Sequence, residues 1–179
     1  MNLPILIASL IFISAIFQPV VGIAKVLPIS LKEMTNEADW IIIGSIKEIK
    51  KTDVKHDEYG YELLVKISVE EIIKGETAKS VEVQLFQDLS TEPEVSLNER
   101  AIFFIKSWKG RNVIVQGYAG KVSIDNEHVK IISIKDEAPT QNFQKFVNKI
   151  KKFVGMDEKK KGKNIKRKHG KDFLGTVMN

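Results

Sequence analysis

The sequence predicts a mainly β fold: a small antiparallel β-barrel preceded by a short helix and followed by an amphipathic helix and a basic tail. Three observations carry that expectation. In Tyr61–Glu70 every odd position (Tyr61, Leu63, Val65, Ile67, Val69) is apolar, while the even positions are mostly polar. This period of two marks a strand with one face on a core. Further short apolar runs follow at hairpin spacing with turn signals between them. Gly44 and the slip of alternation at Glu70-Glu71-Ile72 supply the bends that a small closed sheet requires, which favours a barrel over a sandwich.

Taken in order, the first 24 residues carry no charged side chain, and Leu3–Phe17 is almost wholly apolar. Gly22 and Ala24 occupy the −3 and −1 positions of a cleavage site before Lys25, so residues 1–24 are expected to be a secretory signal peptide. The alternative is an uncleaved anchor, since a crossing takes about 20 apolar residues. Ser30-Leu-Lys-Glu33 is a capping box that opens a short helix, with Leu31, Met34 and Ala38 on one face. Strands are expected at 40–49, 61–73, 81–85, 101–105, 113–116, 121–124 and 129–134. Residues 50–60 form a polar connection, and Trp108–Asn112 a hairpin loop. Ala101-Ile-Phe-Phe-Ile105 is apolar on both faces and therefore buried from both sides. Phe143, Phe146, Val147, Ile150, Phe153 and Val154 follow helical spacing, which places the amphipathic helix at 139–155. The organisation is thus 1–24, a β domain at 25–138, the helix, and a basic tail at 156–179.

Charge divides the chain. Residues 25–144 hold 16 basic and 20 acidic side chains, whereas residues 145–172 hold 12 and 3. Eight of those cations are Lys159, Lys160, Lys161, Lys163, Lys166, Arg167, Lys168 and Lys171. Such a segment has too few apolar residues for a core and is attracted to anionic surfaces, at ~1 kcal/mol per cation near a membrane. Nucleic acid attracts it by the same salt-sensitive mechanism. An exported chain meets an anionic membrane or a cell-envelope polymer more readily. The absence of cysteine excludes disulfides, thiolate metal sites and a cysteine nucleophile.

Four segments carry a family resemblance: Glu37–Ile46, Ile67–Gly75, Leu97–Ile105 and Val115–Lys121. Together they resemble small exported prokaryotic proteins whose fold is similar to the OB-like barrel of tissue inhibitors of metalloproteinases and netrin-like modules. The resemblance covers Leu31–Ile134 and implies an OB-like fold. Those inhibitors chelate the protease zinc through an amino-terminal cysteine, which this chain lacks, so that mechanism is not implied. Fold alone assigns no function.

No catalytic constellation stands out. His56, His128 and His169 lie in separate polar segments without metal-ligand spacing, and neither a metal nor a cofactor is expected. Glu70 and Glu71 are adjacent on a strand and point to opposite faces unless a bulge intervenes. Trp108 and Tyr118, beside Lys109, Arg111 and Lys121, are the candidate binding residues, since aromatic and basic side chains near barrel loops form a stacking and charge platform. The ordinary alternative is that Trp108 caps a hairpin and Tyr118 packs the barrel end. The expected function is an exported, non-enzymatic binding module whose polybasic tail associates with anionic cell surfaces, with a protein partner also compatible. The alternatives are a protease inhibitor acting through the loop Gln87–Glu99 and a protein anchored by residues 1–24.

Overall fold

Ser30 builds the first helix. Its hydroxyl accepts from the Glu33 amide at 3.2 Å, and the Glu33 carboxylate accepts from the Ser30 amide at 3.1 Å, closing the expected capping box. The computed structural model describes residues 28–156. The apolar segment 1–24 and the basic run 157–179 therefore lie outside the described residues. Among the described residues no helix is long and apolar enough to cross a membrane.

The elements are β1 (Ile29–Ser30), α1 (Leu31–Glu37), β2 (Trp40–His56), β3 (Gly60–Lys74), β4 (Ser80–Phe86), β5 (Arg100–Trp108) and β6 (Arg111–Ile114). A 3₁₀ turn (Gly117–Gly120) leads to β7 (Lys121–Asp125), β8 (His128–Lys130), β9 (Ile134–Lys135) and β10 (Thr140–Asn142). The helix α2 covers residues 143–156. The main sheet runs β10-β8-β7-β5-β2-β3-β4, with β6 on the second half of β5, and its ladders are antiparallel. The fold is mainly β with two helices, as the strand pattern predicted.

The sheet curls without closing its ladder. β4 and β6 share no backbone ladder among the described residues; side chains bridge the seam instead. Asn112 Nδ2 donates to the Glu82 carbonyl at 3.0 Å, and Arg111 Nη1 donates to Gln84 Oε1 at 2.9 Å. Curvature comes from shifts of register between β2 and β3. Gly44 pairs with Val69 at one of them, and a Cβ there would meet the Ser68 carbonyl oxygen at 2.4 Å, so only glycine allows that approach.

Two cores result, one on each face of β2 and β5. Ile42, Ile46, Ala101, Phe103 and Ile105 face the concave side with Val65, Ile67, Val83 and Leu85. Ile41, Ile43, Ile102 and Phe104 face α1 and α2, meeting Leu31, Met34, Phe146 and Ile150. This is the two-sided burial expected of Ala101–Ile105. The α1 C-terminus is closed from afar: Lys74 Nζ donates to the carbonyls of Thr35 at 2.7 Å and Ala38 at 2.6 Å, a cation where the helix dipole favours one.

Several boundaries differ from expectation. The loop expected at Trp108–Asn112 shortens to Lys109-Gly110 and the strand expected at 113–116 lies at Arg111–Ile114, because Arg111 and Asn112 pair with Trp108 and Ser107. β2 continues to His56 instead of ending near Ile49, because β3 pairs with it along the whole hairpin. The 129–134 run divides into β8 and β9, with Ser133 in a left-handed conformation between them (φ 58°). The final helix starts at residue 143 rather than 139, because Thr140–Asn142 pairs with β8 and Asn142 Oδ1 caps the Lys145 amide at 3.1 Å.

Candidate functional site

The β5–β6 hairpin is a two-residue turn in which Lys109 (φ 50°) and Gly110 (φ 78°) are both left-handed, the backbone that matches strand twist. It places Trp108 directly opposite Arg111. Trp108 is 54% exposed, and the Lys109 ammonium stands 4.5 Å from its ring centroid. Arg111 is committed to the seam, donating to Gln84 and lying 3.6 Å from the Glu62 carboxylate. Trp108, Lys109 and Arg111 are therefore brought together.

Tyr118 and Lys121 sit elsewhere. Lys121 is only 9% exposed, and its ammonium is held by the Glu94 carbonyl and the Glu99 carboxylate. Ser123 donates to the same carboxylate at 2.7 Å. Burial alone would raise the Glu99 carboxyl, but the hydrogen bonds from Lys121 and Ser123 and the Lys121 charge outweigh it and hold the group below its ordinary range. Lys121 is thus a buried structural cation, outside the Trp108 platform.

Tyr118 and Lys121 line a surface cleft of about 510 Å³ with Glu92, Pro93 and Ser96. One wall is the loop 87–99, which is tied down on both flanks. The Tyr118 amide donates to the Thr91 carbonyl at 2.8 Å, and the Asn98 amide donates to the Ile46 carbonyl at 2.8 Å. Pro93 is buried and Val95 packs on the concave core, whereas Leu97 is 60% exposed.

Glu92 was not legible as a site residue in the sequence. Burial raises its carboxyl to about 7. A raised pKa means that the folded state prefers the neutral acid. Stability is fully present below the unfolded pKa near 4.5 and is lost as pH rises through about 7. Glu92→Gln is accordingly expected to leave stability unchanged at pH 4 and to raise it by ~2–3 kcal/mol at pH 8. Urea unfolding at the two pH values checks this; an equal effect at both would refute it.

The four family-like segments meet in space. Ser45, from the first, and Arg100, from the third, both donate to Glu70 of the second, Arg100 Nε at 2.7 Å. Glu99, from the third, holds Lys121 of the fourth. Glu71 instead pairs with Lys151 at 2.7 Å, so the adjacent glutamates serve different partners. These motif residues fasten strands to one another. Among the described residues, no group of three or more His, Cys, Asp or Glu side chains is placed to hold a metal ion. The chain matches no protein-family model and no curated protein sequence.

Proposed function

We propose that the chain is an exported binding module, OB-like in fold, that is held at anionic cell surfaces by its basic C-terminal extension. The observation that carries this reading is the way α2 joins two oppositely charged parts. Phe146, Val147, Ile150 and Val154 fix it to the sheet, and residues 143–156 contain no acidic side chain. The cations of 159–171 follow it in the chain after Asp157-Glu158. Attraction grows with each cation and is screened by salt. The exposed Trp108, with Lys109 over its ring, is the surface offered to a partner.

Cosedimentation of the mature chain with phosphatidylcholine vesicles, with and without phosphatidylglycerol, tests the proposal. Strong binding to the anionic vesicles at low salt is expected, with loss at high salt. Replacing the eight tail cations by Gln should reduce the binding by at least a hundredfold, given ~1 kcal/mol per cation. Salt-insensitive binding, or none, would sink the proposal.

Leu97 supports a second reading, an inhibitor that presents a rigid loop to a protease. A tied-down loop with one exposed apolar side chain is preorganised for such docking. Replacing the loop 87–99 by a short glycine linker abolishes inhibition only in that case.

A further inference from the structure

The solvent face of α2 carries its own charge pattern. Its lysines are Lys145, Lys149, Lys151 and Lys152. Two are neutralised from the sheet side, Lys149 by Glu137 and Lys151 by Glu71. Glu137 is itself buried and takes a second hydrogen bond from Gln141 at 2.7 Å, so Lys149 is fixed in place. Lys145 and Lys152 are exposed and make no ion pair among the described residues. Seven positions apart, they share one helix face, separated by roughly 10 Å at 1.5 Å per residue. Two cations at that spacing do not converge on a single phosphate; they match a surface bearing many fixed negative charges.

We infer that this face of α2 is a folded docking element for an anionic lipid bilayer, with Lys145 and Lys152 against the headgroups. The inference rests on the surface-association reading and adds the part of the folded body that meets the surface. Two features select a bilayer over a soluble polyanion. The chain passes from α2 through Asp157-Glu158 into the basic run 159–171, and that run is followed by Phe173-Leu174 and Val177-Met178. A bilayer offers both an anionic face and an apolar interior, whereas nucleic acid or an acidic polymer offers an anionic backbone alone. Met156, 44% exposed and one turn beyond Lys152 on the same helix face, adds an apolar side chain there.

The test uses the full mature chain with its tail intact. Lys145→Gln/Lys152→Gln is compared with Lys145→Arg/Lys152→Arg and with Lys50→Gln/Lys66→Gln, which removes equal charge from exposed positions on β2 and β3. Partition onto phosphatidylcholine/phosphatidylglycerol vesicles is measured at low salt. The α2 glutamine pair is expected to lose about thirtyfold in partition, the arginine pair to retain wild-type binding, and the Lys50/Lys66 pair to stay close to wild type. Unchanged partition of the α2 glutamine pair would overturn the inference and leave the tail as the sole attachment. Equal losses in both glutamine pairs would overturn it too, since net charge alone would then suffice. A deficit on duplex DNA without one on vesicles would overturn the bilayer as partner. Failure of the wild-type chain to bind anionic vesicles would instead remove the surface-association reading itself.

Discussion

Phe103→Ala and Phe104→Ala, adjacent on β5, are each expected to destabilise the fold by ~3–5 kcal/mol. In a strand with one wet face, neighbouring substitutions alternate between large and small effects, because successive side chains point to opposite faces. Here both are buried, Phe103 to 1% and Phe104 to 0% exposure, but in different cores. Phe103 packs on the concave side with Val65, Ile67 and Leu85. Phe104 packs beneath the helices with Met34, Phe146 and Ile150. Denaturant unfolding measures both losses, and a Phe104 effect below ~1 kcal/mol would contradict the helix-covered core. Hydrogen exchange separates the two further. The outer cavity should loosen α2 preferentially, since most of that helix's buried side chains belong to the outer core.

The second large effect falls on Lys121. Lys121→Met removes the cation that holds Glu99 and leaves a carboxylate of 21% side-chain exposure without its partner. A loss of ~2–4 kcal/mol at pH 7 is expected, below the full penalty for a buried pair because Glu99 retains some solvent. The Glu99 pKa is depressed from 4.5, so the stability it contributes is present above that value and lost as pH falls through the lower folded pKa. The wild type and Lys121→Met should therefore converge in stability under acid. Adding Glu99→Leu to Lys121→Met should restore part of the loss, because no unpaired charge then remains. A double variant as unstable as the single would refute the charge-pair account. Loss at this position also frees the Glu94 carbonyl that Lys121 holds, so the loop 87–99 should become more sensitive to proteolysis.

Much of the architecture was written locally. Val65 and Ile67 alternate with Lys66 and Ser68, and the structure buries the first pair and leaves Lys66 exposed. The capping box at Ser30–Glu33 needed only four consecutive residues. The slip near Glu70 appears as a shift of register against β2. The candidate platform was legible in part. Trp108, Lys109 and Arg111 belong to one tight hairpin, so sequence proximity carried them together. Tyr118 and Lys121 had no such constraint. The 3₁₀ turn Gly117–Gly120 and the start of β7 carry them to the 87–99 cleft instead.

Periodicity, caps and turn residues act between near neighbours in the chain, and so the sequence by itself determined the centres of the main strands and of the helices and which of their faces turn inward. It also determined the separation of a mildly acidic body from a strongly basic end, because charge counts need no fold. Only the tertiary structure decided which distant side chains answer one another. Lys74 closes the end of α1, Arg100 reaches Glu70, and Lys121 pairs with Glu99. It likewise decided that the Glu92 carboxyl, on the loop 87–99, is desolvated and that Lys145 and Lys152 stay exposed on α2. Burial and pairing depend on what the rest of the chain brings alongside a residue, and no local pattern records that.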